Sequence, residues 1–182
     1  DAGQVGDGTA IDRASPVQVA GLGSVVEVAT GPQHSLARRS DGSVWAWGAN
    51  SDGELGDGTT ADRSVPAQVA PVGDAVSVAA GRGQSYALKT DGTVWAWGAN
   101  GSGELGRGSA SLTGSPAQVP GLAGVGAIAA GEYHGLAIKN DGTVAAWGYY
   151  INAYSYTPTP VKTLTAVTAV AAGDNHNLAL CG

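Results

Sequence analysis

Residues 44–50 read Val-Trp-Ala-Trp-Gly-Ala-Asn, and residues 94–100 repeat the same seven letters fifty positions later. A third copy at the same offset reads Val-Ala-Ala-Trp-Gly over residues 144–148. An Asp-Gly pair precedes each copy in register, at residues 41–42, 91–92 and 141–142. Two apolar runs that flank Asp-Gly are a strong short-range signal for a β-hairpin. The repeat therefore predicts a chain of antiparallel strands.

The periodicity extends over the whole chain. Proline recurs at 16, 66 and 116, and Gly-Glu-Leu-Gly at 53–56 and 103–106 is preceded by Gly-Gln-Val-Gly at 3–6. Units of about fifty residues with some four short strands are typical of propeller blades. We predict an all-β propeller of about three and a half to four blades, either partial or completed by an oligomer. It forms one repeat domain, 1–182, with a partial blade at 1–40 and repeats at 41–90, 91–140 and 141–182.

The last unit departs from the spacing. Gly148 and Pro158 are 10 residues apart, whereas Gly48 and Pro66 are 18 apart, so the Gly-Glu-Leu-Gly loop is lost. Gly182 aligns with Thr90, so the strand that would follow it, equivalent to residues 91–100, is absent and the run from 177 to 180 lacks its hairpin partner. Because an unpaired strand edge is a template for another chain, we expect that this chain does not stand alone as a closed monomer. A second copy, a longer propeller or a different protein could supply the strand.

Composition narrows the function classes. The 182 residues are 43% hydrophobic and 13% charged, with a formal net charge of −6. The nine Lys and Arg residues are almost all scattered singly, which disfavours direct nucleic-acid binding. No apolar run approaches the length of a membrane helix, so no membrane insertion is expected. The sequence contains no nucleophile elbow, phosphate-binding loop or Cys–His pair, and we expect no enzymatic activity, catalytic residue, metal or cofactor.

One family resemblance covers the whole chain. Residues 129–138, Ala-Ala-Gly-Glu-Tyr-His-Gly-Leu-Ala-Ile, followed by Asp141-Gly142 and Trp147-Gly148, resemble the repeat of the regulator of chromosome condensation family. The same signature recurs at residues 31–37 and 171–180, although Gln84 stands where the other units carry histidine. The resemblance implies a β-propeller, usually of seven blades.

Two residue types form the repeated signature, His34, His134 and His176 together with Trp47, Trp97 and Trp147. Equivalent positions of neighbouring blades lie too far apart to share a zinc ion. We therefore interpret each histidine as a structural residue whose hydrogen bonds fix its own blade. The tryptophans, with Trp45 and Trp95, are interpreted as core residues between stacked blades, and Ala145 replaces one of them.

Most of the tyrosines do not recur with the repeat. Four of the six, Tyr149, Tyr150, Tyr154 and Tyr156, lie in the one segment that abandons the repeat. Tyrosine with serine and asparagine is typical of recognition loops, so these residues are candidate partner contacts. An equally favoured hypothesis is that the segment is a shortened connection whose tyrosines pack on their own blade. Cys181 has no partner for an internal disulfide and is a candidate for a cross-link between copies.

Function is predicted at the level of class. The primary hypothesis is a non-enzymatic, protein-binding scaffold that self-assembles or belongs to a larger propeller, and its partner is a protein or further copies of itself. One alternative, implied by the family, is a guanine-nucleotide exchange regulator of a small GTPase. Another is a secreted enzyme inhibitor or a structural fibre or surface-layer subunit. The low charge and the abundance of Ala, Gly and Thr favour a secreted bacterial protein over a cytoplasmic one.

Overall fold

The computed structural model describes residues 2–150 and 152–182, and every regular element in that part of the chain is a β-strand. Three four-stranded antiparallel sheets are followed by one two-stranded sheet. Their strands are β1 Val25–Thr30, β2 His34–Arg39, β3 Val44–Gly48 and β4 Arg63–Gln68; β5 Ala75–Ala80, β6 Gln84–Lys89, β7 Val94–Gly98 and β8 Thr113–Gln118; β9 Val125–Ala130, β10 His134–Lys139, β11 Val144–Tyr150 and β12 Ala153–Pro160; and β13 Val167–Ala172 with β14 Asn177–Cys181.

The sheets are the blades of a partial propeller of about three and a half blades, which confirms the predicted fold class. We number them blade 1 (β1–β4), blade 2 (β5–β8), blade 3 (β9–β12) and partial blade 4 (β13–β14). Each four-stranded sheet begins about sixteen residues before the Asp-Gly turn that marks its sequence repeat, because that turn lies between the second and third strands. No helix in the described residues is long and apolar enough to cross a membrane.

The Asp-Gly turns form the predicted hairpins. In blade 1, β2 and β3 pair antiparallel from His34 opposite Gly48 to Arg38 opposite Val44. Asp41 Oδ1 accepts a hydrogen bond from the backbone N–H of Ser43 at 2.9 Å, and Gly42 has a φ of +80°. Because that backbone region favours glycine, the Asp-Gly pair determines where each hairpin turns.

The first strand of each blade lies near the propeller axis, where the first strands of neighbouring blades contact one another. The glycine that follows this strand recurs for a steric reason. A Cβ atom on Gly31 would lie 2.3 Å from the carbonyl oxygen of Gly81, and one on Gly81 would lie 2.4 Å from that of Gly131. Only glycine allows the blades to approach this closely at the axis.

Apolar side chains between blades form the core. At each complete interface, a leucine from the loop of one blade and a tryptophan from the next blade are almost fully buried. These pairs are Leu55 with Trp97 and Leu105 with Trp147, each at most 1% exposed.

All five tryptophans were predicted to be core residues, but Trp45 and Trp95 do not lie in the core. Both are only half-buried, and each has a cation over its ring. Arg39 lies 5.8 Å from the Trp45 ring centroid, and Lys89 Nζ lies 5.0 Å from that of Trp95. Side chains two apart share a face of a strand, but only the inner one reaches the space between blades.

The chain begins and ends in incomplete blades. Residues 2–20 form no strand, yet they pack on blade 1 as the outer loop of a preceding blade would. The carbonyl oxygen of Gln4 accepts hydrogen bonds from Trp47 Nε1 at 2.7 Å and from Ser35 Oγ at 3.1 Å. At the other end, β14 pairs with β13 alone among the described strands, and Cys181 is a free, exposed cysteine at the end of β14.

Replacing Trp97 by Phe should lower the free energy of unfolding by about 1–3 kcal/mol, since a smaller aromatic ring replaces the buried indole and its hydrogen-bond donor is lost. Trp95→Phe is the matched control, and its effect should stay within about 1 kcal/mol because Trp95 is half-exposed. Urea unfolding followed by circular dichroism measures both variants. Equal losses would contradict the distinction between inner and outer tryptophans.

Candidate functional site

A backbone carbonyl group joins blade 1 to blade 2, and another joins blade 2 to blade 3. The Glu54 carbonyl oxygen accepts hydrogen bonds from Trp97 Nε1 and from Ser85 Oγ, both at 2.8 Å. The carboxylate of Glu54 bends back to the backbone N–H of Asp52 at 2.9 Å, and burial raises the pKa of Glu54. Loop and neighbouring blade are thereby held together by two donors on one acceptor.

The histidine of blade 1 extends this network. His34 Nε2 lies 3.0 Å from Ser85 Oγ in blade 2. Because the Ser85 hydroxyl donates to the Glu54 carbonyl, it accepts from His34, so the Nε2 atom of His34 carries the proton. The bond crosses to the next blade, so the prediction that this histidine fixes its own blade is wrong for His34. Burial lowers the pKa of His34 to about 4.

The other blades use variants of the same bridge. Gln84 Nε2 donates to the Gly131 carbonyl oxygen at 3.0 Å, and His134 Nε2 lies 2.7 Å from Asn177 Oδ1. His176 occupies the same position in partial blade 4, and its side chain is exposed because no blade follows it in the described residues.

Blade 3 replaces the long outer loop by a tight hairpin. Blades 1 and 2 carry loops between their third and fourth strands, whereas β11 and β12 pair directly, with Tyr149 opposite Tyr154. The rings of this cross-strand pair lie 4.8 Å apart between centroids, and Tyr154 is 61% exposed. Asn152 at the turn has a φ of +58°, a conformation that asparagine tolerates better than most residues.

A cleft of about 350 Å³ opens beside this hairpin, between blade 3 and partial blade 4. The two walls come from different blades and are polar or aromatic but carry no formally charged side chain. Its lining residues are His134, Tyr149, Tyr150 and Asn152 on one side, and Asn175, His176 and Asn177 on the other. We call this group of residues the tyrosine cleft.

The structure brings together three of the four candidate tyrosines. Tyr149 and Tyr150 line the cleft, and Tyr154 stacks on Tyr149. Tyr156 lies apart, because its backbone carbonyl accepts from the Gly108 N–H of blade 2 at 2.7 Å. Sequence reasoning missed Asn175 and Asn177 as part of this site. Asn175 lies in the loop between the first and second strands of its blade, and Asn177 begins the second strand. Such loops emerge at the same end of the propeller as the tyrosine hairpin.

The missing loop is what leaves this region open. In blades 1 and 2 the outer loop is held by a fully buried asparagine, Asn50 or Asn100, whose Oδ1 accepts the N–H of Leu55 or Leu105 at 3.0 Å. Glu54 and Glu104 then bring that loop against the following blade. Among the described residues, blade 3 has no such loop over its contact with partial blade 4.

Within the described part of the chain, no group of three or more His, Cys, Asp or Glu side chains is arranged to hold a metal ion. The three signature histidines lie in different blades, as the repeat predicts. The residues that line the tyrosine cleft provide hydrogen-bonding groups and aromatic surface.

Models of the regulator of chromosome condensation (RCC1) repeat match residues 1–38, 41–88 and 91–138, and a second model of the same repeat matches residues 25–54, 75–104 and 127–154. The chain belongs to the RCC1 repeat family. This confirms the resemblance drawn from the Gly-x-x-His and Trp-Gly signatures.

Solved structures of RCC1-like propellers share the fold. Human WBSCR16 superposes with a TM-score of 0.84 at 23% identity, over 99% of this chain and 53% of that one. Prp20p from Saccharomyces cerevisiae gives 0.84 at 22% identity, over 98% and 50%. Yeast RCC1 (Prp20) bound to Kap60 gives 0.71 at 25% identity, over 86% and 41%. The chain therefore spans about half the length of the solved structures it matches.

Replacing His134 by Ala should lower the free energy of unfolding by about 1–3 kcal/mol, because the buried His134 ring and its hydrogen bond to Asn177 Oδ1 are lost together. His134→Gln should cost less than half as much, since Gln84 already spans the equivalent interface. Thermal and urea unfolding measure both. Unchanged stability with loss of partner binding would show that His134 acts in recognition instead.

Stability should also fall on acidification because of His34. Its pKa of about 4 is below the ordinary value of 6.5, so the unfolded chain binds the proton first. The stability due to neutral His34 is full above pH 6.5 and is lost as pH falls towards 4, a loss on the order of 3 kcal/mol. His34→Gln should flatten the stability profile in this range, whereas His176→Gln, at the exposed position, should not. Parallel profiles for wild type and His34→Gln would contradict this assignment.

Proposed function

We propose that this chain is a non-enzymatic protein-binding module and that the tyrosine cleft with Tyr154 is its contact surface. The observation that carries the proposal is the position of the tyrosines. They cluster where blade 3 loses its outer loop, and they surround an open cleft rather than filling a core.

The chemistry of the surface supports a protein partner. Tyrosine rings provide rigid apolar area with a polar tip, and asparagine side chains both donate and accept hydrogen bonds. No formally charged side chain lines the cleft, so recognition there depends on shape and hydrogen bonds. A polypeptide backbone with an apolar or amide side chain fits this mixture. The complex of yeast RCC1 with Kap60 supports the idea that propellers of this type bind proteins.

The test is a set of three purified baits exposed to proteins from the source cell. They are the wild type, a variant with Tyr149, Tyr150 and Tyr154 changed to Ser, and a control with Val65 and Val76 changed to Ser. The control residues are also exposed but lie in blades 1 and 2. We expect a partner that the wild type and the control retain and the tyrosine variant loses.

The affinity of that partner should then fall about thirtyfold for the tyrosine variant, since a central tyrosine contributes about 2 kcal/mol or more at an interface. Isothermal titration calorimetry measures the difference. Equal binding by all three baits, with unfolding curves that match, would show that the hairpin is only a connection.

A nucleotide-exchange function is the family alternative and predicts a different result. An exchange regulator accelerates release of labelled guanine nucleotide from a small GTPase, whereas a passive binding module does not. Because this chain spans about half of its solved relatives, an exchange activity of a whole propeller is not transferred to it. Accelerated release by the 182-residue chain would replace the proposal of passive binding.

A further inference from the structure

One ion pair recurs in the outer loops but is not kept in blade 2. In two loops an aspartate and the arginine six residues later lie with 2.6 Å between the paired atoms, Asp7 with Arg13 and Asp57 with Arg63. The same repeat positions in blade 2 hold Arg107 and Thr113. The acid is thus replaced by a cation, and the long cationic side chain is replaced by a short neutral one.

The carboxylate of Asp57 shows what these loops hold at this place. Its Oδ1 atom accepts from the backbone N–H of Thr59 at 2.9 Å and from the Thr59 hydroxyl group at 2.7 Å, and its Oδ2 atom accepts from Arg63 Nε at 2.6 Å. Burial acts to raise the pKa of Asp57, but the hydrogen bonds from Thr59 and Arg63 outweigh it and lower the pKa to about 2. The loop therefore stabilises a negatively charged carboxylate group.

The donors of Thr59 persist in blade 2, but they have no acceptor. Ser109 stands at the position of Thr59 and offers the same two groups, a backbone N–H and a hydroxyl group. The loop keeps its course, because the buried Asn100 amide donates to the Ser109 carbonyl oxygen at 2.7 Å, and Asn50 makes the same bond in blade 1. Within residues 2–150 and 152–182, neither donor group of Ser109 has a hydrogen-bond partner.

Arg107 is a half-buried cation on the same loop. Its Nη1 atom is buried and has no hydrogen-bond partner in the described part of the chain. Burial lowers the pKa of Arg107, and no acidic group acts in the opposite direction. Because a partly buried charge is costly unless it is paired, an anion bound to the guanidinium would stabilise this loop.

We propose that Arg107 and the two donor groups of Ser109 form a binding site for a carboxylate group from outside this loop. The equivalent loop of blade 1 indicates the ligand chemistry, since the acceptor that it holds is the carboxylate of Asp57. The group comes from an acidic side chain of a partner protein or from a free carboxylate ion. Thr113 does not cover the site as Arg63 does in blade 1, because its short side chain donates to the Ser115 carbonyl oxygen at 3.0 Å.

This carboxylate site is separate from the tyrosine cleft. The Gly108 N–H donates to the carbonyl oxygen of Tyr156 at 2.7 Å, so the loop rests on β12 of blade 3. Neither Arg107 nor Ser109 lines the cleft. The inference therefore goes beyond the proposed contact surface and can be tested without it.

The test is a titration of the isotope-labelled full chain, followed by its amide chemical shifts at constant ionic strength. Sodium acetate probes the carboxylate alone, and sodium chloride and sodium phosphate are the comparison salts. N-acetyl-Gly-Glu-Gly-amide probes an acidic side chain, and N-acetyl-Gly-Gln-Gly-amide is its neutral match. The Thr59 amide is an internal control, because the Asp57 carboxylate already accepts its hydrogen bond.

We expect acetate to shift the Ser109 amide saturably and to leave the Thr59 amide unchanged, while chloride and the neutral peptide shift neither. Arg107→Gln should weaken acetate binding about tenfold or more, because a charge-assisted hydrogen bond is lost. Arg107→Asp combined with Thr113→Arg rebuilds the ion pair of blade 1 and should abolish the acetate-dependent shift in a folded chain. Tighter binding of the Glu peptide than of acetate would indicate a polypeptide as the source of the carboxylate, and equal binding would indicate a free ion.

Three results would overturn the proposal. The first is the absence of a saturable shift at Ser109, or an equal shift at Thr59, with both acetate and the Glu peptide. The second is equal acetate binding by wild type and Arg107→Gln. The third is tighter binding of phosphate than of acetate, which would assign the site to a phosphoryl group instead. Because no readout depends on the candidate tyrosines, failure here is distinguishable from failure of the proposed protein-binding function.

Discussion

The hydrogen bond from an indole N–H to the carbonyl group of the preceding loop is the interaction on which this propeller depends. It recurs as Trp47 to Gln4, Trp97 to Glu54 and Trp147 to Glu104, at 2.7, 2.8 and 2.7 Å. Each tryptophan fixes the loop, and the loop places a leucine or valine over the blade face. Apolar burial and polar pairing at an interface are therefore provided by the same residue.

At each of these three joints the loop carbonyl group receives a second hydrogen bond, but the residue that donates it differs between blades. Ser35 and Ser85 supply a second donor to the carbonyl group in blades 1 and 2. Gly135 stands at this position in blade 3, and a Cβ atom there would lie 2.4 Å from the Trp147 ring. The second donor to the Glu104 carbonyl is instead the hydroxyl group of Tyr86, which lies in blade 2 like the Glu104 loop. The Tyr86 ring also packs edge-on against Trp147 of blade 3, with 5.7 Å between the ring centroids. A hydroxyl group reaches the acceptor in each case, although it comes from a different residue.

The sequence predicted the hairpins well because Asp-Gly turns act locally, within four residues. It also predicted the repeat family, since the Gly-x-x-His, Asp-Gly and Trp-Gly motifs recur in phase along the chain. It did not distinguish Trp97 from Trp95, because alternation along a strand defines a face but not the distance from the neighbouring blade. The partners of His34 and His134 were likewise out of reach, since Ser85 and Asn177 lie 51 and 43 residues away. Only the tyrosine wall of the cleft was named from the sequence. The opposite wall, with Asn175 and Asn177, belongs to a unit that keeps the ordinary repeat pattern, so nothing in its sequence marked it.

Gln4, Glu54 and Glu104 accept these bonds through the main chain, so their side chains are not part of the joint and differ in charge. A joint of this kind tolerates gene duplication. A copied blade brings its own indole donor and its own loop carbonyl, so the bond itself does not depend on which side chain the loop residue carries. Blade 3 shows that the joint and the outer loop vary separately, because its outer loop is replaced by a hairpin while its Trp147 is bonded to the blade before it.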